Sequence, residues 1–200
     1  RHAGSFGKAG WFSFYPTKNM TTSEGGIITT NDEEFANKCK IIRAHGMSAQ
    51  YQHTEFGYNY RMTDISAAIG REQLKKLPNF NARRREIAER YNSELSDLVI
   101  TPKNRRGHVF HQYTLRVLNG KRDELSEFLN DNKIPHGIYY PIPLHRQKAY
   151  TDERYKKEDF KTSIMMSKQV ISLPMHSELD EEQINFISQK VNQFFKDLDS

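Results

Sequence analysis

Gly10–Thr30 reads G-W-F-S-F-Y-P-T-K-N-M-T-T-S-E-G-G-I-I-T-T, and the position of its lysine between two apolar runs decides the fold. Trp11, Phe12, Phe14 and Tyr15 form an aromatic-rich run that stops at Pro16. Lys18 follows among small polar residues, and Glu24-Gly25-Gly26 turns the chain into the β-branched run Ile27–Thr30. Two strand-like runs around one lysine place it at the end of a buried sheet rather than on a freely solvated surface. Desolvation there favours the neutral amine over the ammonium, and the neutral amine is the nucleophile that Schiff-base chemistry needs. The same residues also read as a surface turn beside a hairpin, and spacing alone leaves that alternative open.

Further blocks follow in order. They are R-A-H-G-M at 43–47, G-Y-N-Y-R-M-T-D at 57–64, A-A-I-G-R-E-Q-L at 67–74, Y-P-I-P-L-H at 140–145 and S-L-P-M-H at 172–176. With these blocks the chain resembles the DegT/DnrJ/EryC1/StrS aminotransferases over almost its whole length. The lysine segment of that family runs roughly G-x-F-S-F-x-x-x-K-N-(x)-T-T-x-E-G-G, and the Ser13-to-Lys18 spacing is kept here. The resemblance implies an α/β protein with the PLP-dependent transferase fold type I (aspartate aminotransferase-like). Residues 1–78 would be the C-terminal part of the large PLP-binding domain, carrying part of its sheet. Residues 79–200 would be the small C-terminal α/β domain, led by a long bridging helix. Family members run to nearly twice this length, and the chain begins at Arg1 without a methionine. It therefore reads as the second half of such an enzyme, with the aspartate for the pyridine nitrogen and further phosphate donors expected ahead of it.

The family's chemistry, carried over residue by residue, makes this a pyridoxal 5'-phosphate (PLP) enzyme. It moves an amino group, with glutamate as the expected donor, to a keto group of a nucleotide-linked sugar. Lys18 takes the internal aldimine and the proton transfer between Cα and C4′. Ser13 donates to the cofactor phosphate, which needs several convergent donors and cannot be held by one hydroxyl. Asn59 reaches the phosphate of a neighbouring subunit, so the active site of the implied homodimer is shared. Arg61 lies toward the diphosphate or sugar. His145 follows two stiffening prolines, Pro141 and Pro143, where a substrate contact and a backbone-bonded cap are equally good readings.

Tyr15 and Tyr140 read as packing residues, and His111 and His176 as structural. Capping explains Asp64. Two relatives of the reading remain: a PLP-dependent sugar dehydratase, which carries histidine at the lysine position, and a regulatory protein or inert fragment that keeps the fold without the chemistry.

Composition bounds the alternatives. With 36% hydrophobic and 28% charged residues and a mean hydropathy of −0.82, the core is thin and much helix surface is solvated. No run approaches the ~20 apolar residues that span a bilayer, and no secretory leader is visible. Cys39 is alone, so no internal disulfide forms and a cytoplasmic location is the default. The eight histidines show no H-x-x-x-H spacing, so no metal site is expected. The net charge of +5 invites nucleic acid. However, Arg83-Arg84-Arg85 is followed at once by Glu86 and Glu89, the pattern of a salt-bridged solvent face. The excess charge suits a diphosphate-bearing substrate instead.

Punctuation sets the expected elements. Strands fall at 11–15 and 26–30, and a helix over 33–44 is capped by Asn31-Asp32 and closed by Gly46. A polar irregular loop covers 46–62. A helix starts at Thr63-Asp64 and is broken by Pro78, and a second runs over about 79–96. Then come a strand at 111–117, a helix near 122–132, a strand near 136–140, and helices near 160–169 and 181–196.

Overall fold

The computed structural model describes residues 1–95 and 99–198, and the chain divides into two units, Arg1–Pro78 and Asn79–Ser200. In the first unit β1 (Ala9–Ser13) pairs antiparallel with β2 (Gly26–Thr30), in register from Ala9↔Thr30 to Ser13↔Gly26. Asp32 then caps α1 (Glu33–Ile42), its Oδ1 accepting from the Phe35 amide at 2.8 Å. The cap matches the sequence reading because aspartate satisfies an amide that the first helical turn leaves free.

Gly46 closes the helix with a backbone φ of +73°, its amide bonded to the Ile41 carbonyl at 3.0 Å. A side chain there would collide with the Glu55 carbonyl, so glycine is required twice over. The expected irregular stretch beyond it holds a small hairpin, β3 (Met47–Ala49) against β4 (Gln52–His53).

Among the described residues the sheet around the lysine is a two-stranded ribbon. Trp11 is 77% exposed, Phe12 40% and Ile28 51%, so both faces of the ribbon are open among the described residues. A two-stranded ribbon buries its apolar positions only when another layer covers them. α1 lies along one side and leaves a cavity of about 490 Å³ lined by Trp11, Ile28, Cys39, Arg43 and Tyr60, among others.

α2 (Asp64–Glu94) is one continuous helix with Pro78 inside it, where the sequence predicted a break. Proline removes one amide donor and crowds the preceding turn, and the helix continues through it at that cost. Ser96, at the end of the second expected helix, lies outside the described residues.

In the second unit β5 (Tyr113–Arg116) pairs antiparallel with β6 (Val170–Leu173). The helices are α3 (Arg122–Asp131), α4 (Lys161–Gln169) and α5 (Glu181–Leu198). The buried cluster joins Ile87, Ala88, Tyr91 and Leu95 with Tyr113 and Leu115 of β5, Leu125 and Leu129 of α3, and Ile184, Ile187 and Val191 of α5. The α2 members recur at helical spacing on one face. Each fully buried aliphatic side chain contributes roughly 1.5–3 kcal/mol. The strand expected near 136–140 reduces to a single bridge, Gly137↔Ser172. The partner of β5 is β6, a fully buried strand that the sequence reading did not mark, because a run buried on both faces need not alternate.

Candidate active site

Lys18 sits in the loop of residues 14–25 that joins β1 to β2, and the loop is tied to itself at several points. Phe14 donates its amide to the Gly25 carbonyl at 2.9 Å, and its own carbonyl accepts from Thr22 N at 3.0 Å and from Thr21 Oγ1 at 2.9 Å. The Lys18 amide donates to the Tyr15 carbonyl at 3.0 Å, which makes a turn directly ahead of the lysine. Ser13 ends β1 opposite Gly26, and its Oγ accepts from the Tyr15 amide at 3.3 Å. Both Ser13 and Lys18 are thus anchored through Tyr15. The Lys18 side chain is half-buried, and its amine has no hydrogen-bond or ion-pair partner among the described residues.

Asn59 and Arg61 lie in the extended segment 57–62. Its backbone is pinned to the end of α1 by Tyr58 N to Ile42 O (2.7 Å) and Tyr60 N to Arg43 O (3.0 Å). The rings of Tyr58 and Tyr60 stack 4.8 Å apart at 9°, which puts them on one side of the segment. Residues alternate sides in extended chain, so Asn59 and Arg61 project from the other. Neither of their side chains has a partner among the described residues. The segment meets the lysine loop at its far end, where Met62 Cε lies 3.0 Å from the place a Cβ on Gly25 would occupy.

His145 belongs to the second unit. It lines a cavity of about 700 Å³ walled by Tyr139, Tyr140, Tyr150, Tyr155 and Phe160. Its ring lies 5.1 Å from that of Phe160, and its Nε2 is 3.4 Å from the Lys157 carbonyl. Arg146 Nε donates to the same carbonyl at 2.7 Å. Both readings of His145 therefore have support, since it touches backbone and also opens onto a cavity. Among the described residues no group of three or more His, Cys, Asp or Glu side chains is placed to hold a metal, and no helix is long and apolar enough to cross a membrane.

Residues 1–192 match the model of the DegT/DnrJ/EryC1/StrS aminotransferase family. The chain belongs to this family. It is 41% identical over 200 residues to a "pleiotropic regulatory protein" of Geobacillus stearothermophilus, covering 96% of this chain and 53% of the relative. It is 35% identical to the dTDP-3-amino-3,6-dideoxy-alpha-D-galactopyranose transaminase of Aneurinibacillus thermoaerophilus, covering 97% of this chain and 53% of the relative. Among solved structures, S. venezuelae DesV in complex with a ketimine intermediate superposes with a TM-score of 0.90 at 31% identity, covering 98% of this chain and 53% of that one. The chain thus spans about half the length of the curated relatives it matches. The α/β fold is the PLP-dependent fold type I of these aminotransferases.

In this DegT/DnrJ/EryC1/StrS chain Ser13, Lys18, Asn59 and Arg61 all fall in the first unit and His145 in the second. Sequence reasoning missed Arg84. Read as part of a solvent-facing charge run, it is 6% exposed. Its Nη1 donates to the carbonyls of Phe110 (3.0 Å), His111 (3.2 Å) and Met175 (2.8 Å). Arg83 behaves as expected and pairs with Glu86 and Glu181. Nothing in the spacing of three consecutive arginines says which one turns inward. The neighbouring helical positions 87, 88 and 91 do, since position 84 shares their face.

Proposed function

We propose that the protein containing this chain is a PLP-dependent aminotransferase that transfers an amino group, with glutamate as donor, to a keto group of a nucleotide-linked sugar. The observation that carries the reading is Lys18, a half-buried lysine with an uncommitted amine in a loop whose residues match the family's lysine segment. The side chains present fit the cofactor. Lys18 Nζ is free to hold its aldehyde carbon, and Ser13 Oγ, Asn59 and Arg61 are donors that the fold leaves unused. Pyridoxal phosphate when bound supplies the electron sink for a carbanion at the donor's Cα. Lys18 moves the proton at that carbon, and Ser13 donates to the phosphate.

Asn59 is assigned to the phosphate of the neighbouring subunit in a homodimer, with Arg61 close to the sugar or its diphosphate. His145 is the substrate contact in the second unit, where an aromatic-walled cavity suits the flat and apolar faces of a nucleotide sugar. The name of the Geobacillus relative keeps a regulatory role in view, and the same experiment separates the two.

Borohydride reduction after incubation with pyridoxal phosphate should leave a pyridoxyl adduct on Lys18. Lys18→Ala should lose both the adduct and turnover, and turnover retained in that variant overturns the mechanism. The shared site has its own test. Mixed dimers of Lys18→Ala and Asn59→Ala subunits should regain activity, because one of their two sites is whole. No recovery in a confirmed mixed dimer rejects the shared arrangement.

A further inference from the structure

The loop that carries Lys18 is long for a connection between paired strands, and besides its own hydrogen bonds it has an anchor outside itself. Of residues 11–30, only Thr22 is buried, and it is 0% exposed. Its two branches are held from two directions. Oγ1 donates to the Glu24 carbonyl at 2.6 Å, inside the loop. Cγ2 faces α2, where it lies 2.8 Å from the position a Cβ on Gly70 would take.

Glycine in a helix interior costs roughly 0.5–1 kcal/mol relative to alanine, so Gly70 needs a packing reason. The approach of Thr22 supplies one. One helical turn along, Gln73 Oε1 accepts from the Thr21 amide at 3.4 Å. Two successive residues of the lysine loop, three and four positions after Lys18, are therefore seated against one face of α2. Phe14 carries the contact back toward Lys18, because its carbonyl takes hydrogen bonds from both Thr21 and Thr22, and the next residue, Tyr15, accepts from the Lys18 amide.

We propose that Gly70 is a positioning residue for Lys18, acting through Thr22: the missing side chain at 70 makes the seat that sets where the lysine loop, and so its amine, stands. The proposal rests on Lys18 being the cofactor lysine. It goes beyond that reading by assigning the accuracy of the amine's placement to a helix position that touches neither cofactor nor substrate.

The prediction is a rescue. Gly70→Ala removes a helix-breaking residue and on propensity alone should stabilise α2. Its new methyl must displace Thr22, whose hydroxyl is already committed and whose side chain cannot swing away. Thr22→Ser deletes the opposing Cγ2 and keeps the hydroxyl. In the full-length protein, the rate at which pyridoxal phosphate becomes borohydride-trappable on Lys18 should fall about tenfold or more in Gly70→Ala, since misplacement by a fraction of an ångström to an ångström costs up to about 100-fold. It should fall less in Thr22→Ser, which loses the methyl seated against Gly70 but keeps the hydroxyl bond to Glu24, and return toward the Thr22→Ser value in the double variant.

Amide hydrogen exchange of residues 14–25 should follow the same order without any cofactor present. Equal trapping rates in Gly70→Ala and the parent, or a double variant no better than Gly70→Ala, overturn the proposal. If Gly70→Ala does not fold, Thr22→Ala decides. It takes the methyl away from Gly70 and the donor away from Glu24, so the loop should exchange faster and Lys18 trap more slowly than in Thr22→Ser; no change in either rejects the seat. Failure of the parent protein to trap at Lys18 would sink the cofactor reading alone, and the exchange measurements would still decide the role of Gly70.

Discussion

Arg84 carries its charge into the interior of the second unit, and its hydrogen-bond partners are backbone carbonyls. Burial lowers its pKa, but guanidinium stays protonated in proteins, so the charge is felt by what lies near it. His176 is one such group. His176 is exposed, and partial desolvation first and the Arg84 guanidinium second hold its imidazole below the ordinary value, with Glu178 pulling the other way. The unfolded chain then takes up a proton at His176 more readily than the folded one, so stability falls as pH drops from about 6.5 toward the lower folded value. Urea midpoints measured from about pH 7.5 to about pH 5.5 should decline, and His176→Gln should flatten that decline. An equal slope in the variant would remove His176 as its source. At this scale the sequence was readable where a residue's role is local. Asp32 caps its helix as its neighbours dictate, and the turn at Lys18 matches the alternative the spacing left open rather than the buried sheet end. Arg84 and Thr22 escaped because their roles depend on residues from about 26 to 91 and 48 positions away.

Elements whose signals are periodic or capped were legible: α1, α3, α4 and α5 all lie within a few residues of their expected bounds. β6 was not, because a short strand buried on both faces has no clear alternation to mark it. α2 shows the limit of a single-residue rule. Pro78 reads as a stop, yet the helix runs from Asp64 to Glu94 through it. Proline at an exposed helix-interior site costs about 3 kcal/mol relative to alanine, partly offset by the freedom it removes from the unfolded chain. Pro78→Ala should therefore stabilise the protein by about 1–2 kcal/mol, read as a rise in the denaturant midpoint at constant m-value. A fall would show that the helix needs the proline for its local geometry.

Across the whole molecule, the hydrophobic cluster found among the described residues lies between Ile87 and Phe194, and the first unit contributes none of it. The candidate cofactor residues Ser13, Lys18, Asn59 and Arg61 therefore sit in the unit with the thinner interior. Local opening should be easiest where buried apolar contacts are fewest. In this 200-residue chain, amides of β5, β6 and α5 should exchange slowly and those of β1–β4 quickly. Matching protection in β1–β4 would show that the hairpins are held by more than the contacts described. The family and the fold were readable at this scale because five ordered blocks survive in sequence. The cover of the lysine hairpin was not, because an apolar run says that a strand has something to bury and not which layer buries it.

Trp11 is the chain's sole tryptophan, and it stands on β1 with most of its indole in water. Its emission is therefore a single-site fluorescence reporter for the strand that ends at Ser13. An indole leaving water for an apolar environment emits further to the blue. Titrating the protein with any molecule that covers that face would give the binding curve directly, without a label.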